Sequence, residues 1–228
     1  MPEDNKKRVV VISGGMGYVG MHISDLLIQD GFTVCSIDKE TVDITDEQAV
    51  EKFALETKKH YGNIEVLIHA AAAPLIRKPV LSLTEESFRY QLEVTLTGAF
   101  NLSKHFKSLM TKNGCIIGLT SGAIEAGSYS PTGSYIPAKY ALKGLLRALY
   151  NELKGEIRVY AVSPAFMPGG LNSDIPEKAL DFITQKSKPG EVTHPDKVAK
   201  TILGLLNDTL GKMNGKQLSV PSGAISDL

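Results

Sequence analysis

The chain has 228 residues, 43% of them hydrophobic, and its 25 basic and 25 acidic side chains cancel to zero formal charge with a pI near 7.0. That length suits one domain with a large buried core. The charge balance argues against nucleic acid or an anionic membrane as the main partner, and no run of about 18 apolar residues offers a bilayer span. The opening MPEDNKKR is polar and runs straight into a strand-like segment, which does not read as a signal peptide. Cys35 and Cys115 sit inside apolar segments rather than at metal or disulfide spacing. The expectation is a reduced, cytoplasmic, soluble protein with residues 1–228 as one unit and no metal site.

Strand-like runs alternate with helical patterns along the chain, the signature of a doubly wound parallel α/β sheet in three layers. Arg8–Ile12 (RVVVI) is a β-branched run, as for a strand covered on both faces. SGGMGYVG follows, then a helix over His22–Gln29 and a strand over Phe32–Ile37 that ends at Asp38. Asp46–His60 reads as an amphipathic helix, Ile64–Ile68 as a strand entering HAAAAP, and Thr84–Met110 as one long helix with a capped start at Thr84. Cys115–Leu119 is a strand, Tyr135–Lys154 a helix and Ile157–Val162 a strand leading to SPAFMPGG. A short helix over Glu177–Thr184, a helix over Pro195–Leu206 and a last strand over Lys216–Val220 complete the series.

Two stretches carry chemistry. Gly14, Gly17 and Gly20 fall between the first strand and the first helix, with Tyr18 and Val19 inside the same turn. Glycines there permit a tight turn and close approach of backbone to a phosphate, and the helix start offers free N–H groups. A turn with no ligand would need the same glycines, so position within the βαβ unit is what gives them weight. Asp38 closes the second strand, 18 residues after Gly20, where a carboxylate accepts hydrogen bonds from ribose hydroxyls and repels a 2′-phosphate. This favours NAD over NADP, although Lys39 next door softens the repulsion.

In the second stretch, Thr120-Ser121 leads through a Gly/Ser/Pro-rich loop to a helix opening with Tyr135 and carrying Lys139 one turn on. Residues four apart share a helix face, so the phenol and the ammonium can serve one site. The expectation is that the ammonium lowers the tyrosine pKa and fits it to pass a proton at neutral pH, with Ser121 donating to the same substrate oxygen. A second pair with this spacing, Tyr150 and Lys154, lies roughly 22 Å further along the helix and reads as surface. Among the other candidates, His69 either lines a cofactor or is a satisfied buried histidine. His22, His60, His105 and His194 lack metal spacing. Tyr129 and Tyr140 flank the Ser–Tyr loop and either contact substrate or pack.

Taken together, these residues resemble the short-chain dehydrogenase/reductase family over nearly the whole chain. The resemblance implies cofactor contacts from Asp43 and Ile44 in place of an Asp-Val motif, and from Ala70 and Ala71 in the HAAAA turn. It implies further cofactor contacts from Pro164, Phe166 and Met167 along the nicotinamide. It gives Tyr135 the acid/base role, Lys139 the nicotinamide ribose as well as Tyr135, and Ser121 the substrate carbonyl. It also implies a homodimer or homotetramer packed through the helices over 84–110 and 135–154.

The departures from the family pattern are specific. Tyr18 stands where the shorter branch has glycine, and the three-and-three glycine spacing and HAAAA look like the longer, sugar-nucleotide branch. Thr95 replaces an Asn, and Ser121 lies 14 residues before Tyr135, about one more than is common, so the loop must bulge. The expected activity is NAD(P)-dependent interconversion of a carbonyl and an alcohol on a modest, fairly apolar substrate. The alternatives are an epimerase or dehydratase using bound NAD, and a dinucleotide-binding sensor that has lost catalysis.

Overall fold

The hydrophobic run at the start of the chain forms β1 (Arg8–Ser13), whose side chains split by alternation. Val9 and Val11 enter one core, Val10 and Ile12 the other. A strand so buried on both faces needs helices on both, and the computed structural model, which describes residues 7–125 and 132–228, supplies them. The described strands form a seven-stranded sheet in the order β2-β1-β3-β4-β5-β6-β7, with β2 (Phe32–Ile37), β3 (Ile64–His69), β4 (Met110–Leu119), β5 (Arg158–Pro164), β6 (Lys216–Val220) and β7 (Ile225–Asp227). All neighbours are parallel except β6 and β7.

On one face, α2 (Glu47–Tyr61), α4 (Gly98–Phe106) and α5 (Tyr135–Glu152) bury Val50, Leu102, Phe106, Leu142 and Leu146. On the other, α1 (Tyr18–Gln29) and α7 (Pro195–Leu206) bury Ile23, Leu27, Val198 and Ile202. This is the expected Rossmann-like, three-layer arrangement. The expected order of elements is also present, with α6 (Glu177–Lys186) between β5 and α7. None of the described helices is long and apolar enough to cross a membrane.

Several boundaries differ from the sequence reading. Helix α1 starts at Tyr18, four residues early, because glycine at N-cap allows the turn to pass directly into helix. The strand expected from Cys115 begins at Met110, with a register irregularity against β3 and a left-handed Asn113. Lys216–Val220 is not the last strand, since the chain turns back as β7.

The largest correction concerns Thr84–Met110, which is not one helix. Thr84 caps α3 (Glu85–Leu92) by accepting the Ser87 N–H at 3.2 Å, as expected. The chain then widens into a π turn over Glu93–Thr97 before α4, and reaches Met110 through a short 3-10 turn. Val94, Thr95 and Thr97 are β-branched and weak helix formers. The Thr95 carbonyl accepts a hydrogen bond from His69 Nε2 at 3.1 Å. That bond comes from β3, far away in sequence, so helical periodicity carried no sign of it.

His69 is therefore the satisfied buried histidine, 4% exposed. Its Nε2 must donate to the Thr95 carbonyl, so in the neutral ring Nδ1 accepts from the Ser13 hydroxyl at 2.8 Å. Burial first, and the Lys139 charge second, push its pKa down to about 3. An unfolded histidine titrates near 6.5, so below that pH the unfolded chain binds a proton that the folded chain refuses. Stability then falls as pH drops from 6.5 towards 3, by about 2 kcal/mol at pH 5 from this group alone. In urea unfolding followed between pH 7 and pH 5, His69→Asn should flatten that decline. An unchanged slope would remove His69 as its source.

Candidate active site

The carboxyl ends of β1 to β5 open into one cleft of ≈ 1360 Å³, the place where ligands bind in open α/β sheets. Gly14, Gly17, Tyr18, Val19 and Gly20 line the end where a phosphate was expected, and Asp38, Asp43 and Ile44 the end expected to take an adenine. Ala70 and Ala71 form the floor, and Pro164, Phe166 and Met167 the wall beside Ser121, Tyr135 and Lys139. The glycine turn, Asp38, Asp43, Ile44, Ala70, Ala71, Pro164, Phe166 and Met167 thus line one cleft with Ser121, Tyr135 and Lys139. Tyr129 lies outside the described residues, as does the rest of 126–131, where the bulge between Ser121 and Tyr135 was expected.

At the phosphate end the backbone folds too tightly for side chains. A Cβ on Gly20 would lie 2.0 Å from the Gly14 carbonyl oxygen, and Gly14 itself has φ +70° with Ala71 backbone 2.8 Å from where its Cβ would be. No side chain caps α1, so its first-turn N–H groups are left for a ligand at the positive end of the helix dipole. This is a built anion cradle, and a dinucleotide fits the residues present.

At the adenine end, Asp43 accepts both the Thr45 N–H and its hydroxyl, at 2.9 and 2.7 Å, and those bonds lower its pKa. Asp38 is half-buried, and its Oδ1 accepts the Glu40 N–H at 3.2 Å. Lys39 reaches over the Tyr90 ring, 5.8 Å from its centroid. Tyr90 and Val94, from the α3 region, also line this end. Sequence reasoning missed both, since only the tertiary fold brings α3 to the cleft.

At the catalytic end, Tyr135 and Lys139 occupy adjacent turns at the start of α5. Lys139 is 3% exposed; its ammonium donates to the Leu119 carbonyl at 2.7 Å and lies 5.5 Å from the centre of the Tyr135 ring. Burial brings its pKa down to about 8, so it is charged at neutral pH. Ser121 stands close enough to the Tyr135 phenol to favour its ionised form, and the Ser121 oxygen accepts the Ala123 N–H at 3.3 Å.

The expectation that Lys139 lowers the Tyr135 pKa needs correcting. Desolvation raises it, and the opposing influence is the Ser121 hydrogen bond. The ammonium is directed at the strand carbonyl rather than at the phenol oxygen. Thr95, fully buried, accepts from Gln91 Nε2 at 3.1 Å, so its hydroxyl is engaged inside the helix pair and does not line the cleft. Tyr140 is not at the cleft either; its hydroxyl donates to the Ile124 carbonyl. Lys154 sits over Tyr150, 5.1 Å from its centroid and away from the cleft, as expected for the second pair. Among the described residues no His/Cys/Asp/Glu group could hold a metal ion.

Comparison with known proteins agrees with this arrangement. A family model described as enoyl-(acyl carrier protein) reductase matches residues 29–224. The 3-oxoacyl-[acyl-carrier-protein] reductase FabG of Thermotoga maritima is 27% identical, over 96% of this chain and 98% of that protein. The 3alpha-hydroxysteroid dehydrogenase of Mediterraneibacter gnavus is 24% identical, over 97% and 98%. Among solved structures, the aldohexose dehydrogenase of Thermoplasma acidophilum superposes with a TM-score of 0.84 at 21% identity, covering 96% of this chain and 94% of that one. A small-chain dehydrogenase in complex with NADPH gives 0.82 at 21%, covering 95% and 98%. With that match over most of its length, and with a dinucleotide cradle and a Ser-Tyr-Lys cluster on one sheet edge, the chain belongs to the short-chain dehydrogenase/reductase family of NAD(P)-dependent oxidoreductases.

Proposed function

We propose that this chain, acting as one catalytic unit over residues 1–228, interconverts a carbonyl and an alcohol with Tyr135 as the acid/base. The observation that carries the reading is the meeting of Ser121, Tyr135 and Lys139 at one cleft wall, with the Lys139 ammonium 5.5 Å from the centre of the Tyr135 ring. A bound nicotinamide supplies or accepts the hydride at the substrate carbon. Tyr135 donates its proton to the carbonyl oxygen, and Ser121 donates a hydrogen bond to the same atom as negative charge develops there. Ser121 also favours the phenolate left behind, while Lys139 keeps its ammonium on the Leu119 carbonyl beneath the ring. The names of the relatives, a 3-oxoacyl reductase and a hydroxysteroid dehydrogenase, support chemistry between an oxo group and a hydroxyl.

Tyr135→Phe removes the transferable proton and leaves the ring. Turnover of NAD(P)H with a responsive ketone or aldehyde should fall by roughly 10²–10⁴-fold, the usual worth of a general acid, while dinucleotide titration stays close to wild type. Turnover near the wild-type rate would end the assignment.

NAD is the proposed partner over NADP, on the strength of Asp38 at the end of β2 and of Lys39 being drawn towards Tyr90. Losing hydrogen bonds to a charged acceptor costs about 1.5–3 kcal/mol. Asp38→Ser should therefore weaken NADH binding by roughly 10-fold or more and narrow the gap to NADPH in parallel titrations. A wild-type protein that already prefers NADPH would reverse the proposal.

The proposed substrate is a small, uncharged, fairly apolar carbonyl compound. Phe166, Met167, Leu171 and Ile183 line that end, while the Arg77 guanidinium there is held by Asp174. The epimerase alternative loses support because residues 165–194 hold only a 3-10 turn and the ten-residue α6, too little for a large substrate region.

The protein is proposed to be cytoplasmic and a homo-oligomer. The leucines of α5 do not argue for association: Leu142 and Leu146 are consumed by the chain's own core, and Leu145 and Leu149 pack against it. What supports it is Phe100 on α4 and Tyr140 on α5, 47% and 55% exposed. Light scattering should give a multiple of 24.6 kDa, and a monomer at micromolar concentration would dismiss it.

A further inference from the structure

The segment that follows β5 lines the cleft and is tied to other parts of its wall by Tyr18 and by Arg77. Near its start, Tyr18 stands against it from the first turn of α1. The Tyr18 hydroxyl donates to the Pro168 carbonyl at 3.1 Å, and its ring lies against Gly169 and Gly170. These glycines have φ of +103° and +58°, and a Cβ on Gly170 would come within 2.8 Å of Tyr18 Cδ1. The contact thus requires glycine both for its backbone and for its missing side chain.

Further along, Arg77 reaches over from the loop after β3. It donates from Nε to Asp174 Oδ2 at 2.8 Å and from Nη2 to Asp174 Oδ1 at 2.9 Å, the paired geometry of a guanidinium on a carboxylate. The same Nη2 donates to Asn172 Oδ1 at 2.9 Å and reaches the Leu171 carbonyl at 3.4 Å. Asn172 donates in turn to the Met167 carbonyl at 2.9 Å, which draws the turn together. Tyr18, Arg77 and Asn172 line the same cleft as Tyr135 and Gly14, and so do Met167, Gly169, Gly170 and Leu171 of the segment between them.

We propose that Tyr18 and Arg77 are positioning residues that hold residues 167–174 as a strap over the dinucleotide cleft, with Tyr18 and its two glycines as the pivot and Arg77–Asp174 as the latch. A dinucleotide is released when the latch opens. The two ends differ in kind. The pivot is shape and one neutral hydrogen bond, which salt does not screen. The latch is an ion pair whose side chains are 23% and 53% exposed, so it is open to screening and to competition from water. The inference rests on the reading that this cleft takes a dinucleotide; the strap itself does not.

The full-length protein tests it in two arms. In the first, NADH is chased off by excess NAD and its release is followed by stopped-flow fluorescence. Arg77→Leu and Asp174→Leu should each speed release by about three- to tenfold, as expected for a bidentate, partly exposed pair. The double exchange of Arg77→Asp with Asp174→Arg should bring the rate most of the way back. Raising salt should speed wild type and leave Arg77→Leu nearly unmoved.

In the second arm, hydrogen exchange is measured on the protein without dinucleotide. The amides of Asn172, Ser173 and Ile175, which bond to the carbonyls of Gly169, Gly170 and Asn172, should exchange faster in Arg77→Leu, in Asp174→Leu and in Tyr18→Phe. Unchanged exchange in all three, or release unaffected by both latch variants, overturns the strap. Failure of NADH to bind at all overturns the redox reading instead, and leaves the exchange arm to decide the strap.

Discussion

The most demanding feature of the molecule is a charged ammonium with almost no access to water. Lys139 is buried at the base of the cleft, and taking an ammonium out of water is costly unless donors and acceptors are matched to it. The Leu119 carbonyl at 2.7 Å supplies an acceptor, and the remaining strain is visible as a pKa near 8. His69, close enough to feel that charge, is pushed to about 3 and is neutral throughout the physiological range. Tyr135, raised by burial, keeps its proton. The three groups therefore settle at neutral pH into one arrangement, with lysine and tyrosine protonated and histidine not. Such divergence of neighbouring pKa values is how a site fixes which group is the acid. In the proposed reaction this leaves Tyr135 as the group with a proton to give.

This arrangement depends on parallel pairing. Because β1, β3, β4 and β5 run the same way and in register, Ser13 lies beside His69, His69 beside Gly118, and Leu119 beside Val162. Their carboxyl ends form a single ledge, and right-handed crossovers deliver each following helix start or loop to it. The π turn contributes from the opposite side. By widening the helix at Glu93–Thr97, the chain turns the Thr95 carbonyl towards His69 and seats Gly98 against Ile44, where a Cβ would lie 2.6 Å from Ile44 Cδ1. Wide turns of this kind recur at functional sites. Here one fixes the tautomer of a histidine buried at the end of β3, just before the floor formed by Ala70 and Ala71.

The strands, the glycine cradle and the Ser121–Tyr135–Lys139 set were legible because each is written in local pattern: β-branched runs, glycine after a strand, and side chains four apart on a helix. What was not legible depends on pairs distant in sequence. The wide turn within Thr84–Met110 offers the Thr95 carbonyl to His69, 26 residues earlier in the chain. Arg77 gave no signal, because its partners Asn172 and Asp174 lie almost 100 residues on. The direction of the Tyr135 pKa was misjudged for a similar reason. Spacing reveals that the ammonium is near, but only burial and the Leu119 carbonyl reveal how much each influence counts. Short β7 escaped notice because three exposed residues carry too little pattern.

Tyr18 shows how a departure from a family pattern becomes intelligible once its partner is known. In the sequence it is a bulky residue in a glycine-rich turn, suggestive of a different branch of enzymes. In the fold its ring has left the phosphate turn and taken up the space that Gly169 and Gly170 leave open. The two anomalies explain each other: a side chain where glycine was expected, and a glycine pair with left-handed backbone where a side chain would collide. The consequence is mechanical. The glycine turn after β1 and the segment after β5 share one contact, so the two are fixed relative to each other through the Tyr18 side chain. The segment beyond β5 is too short to form a separate substrate domain, and anchoring it to the phosphate turn lets a few residues serve as both cover and wall.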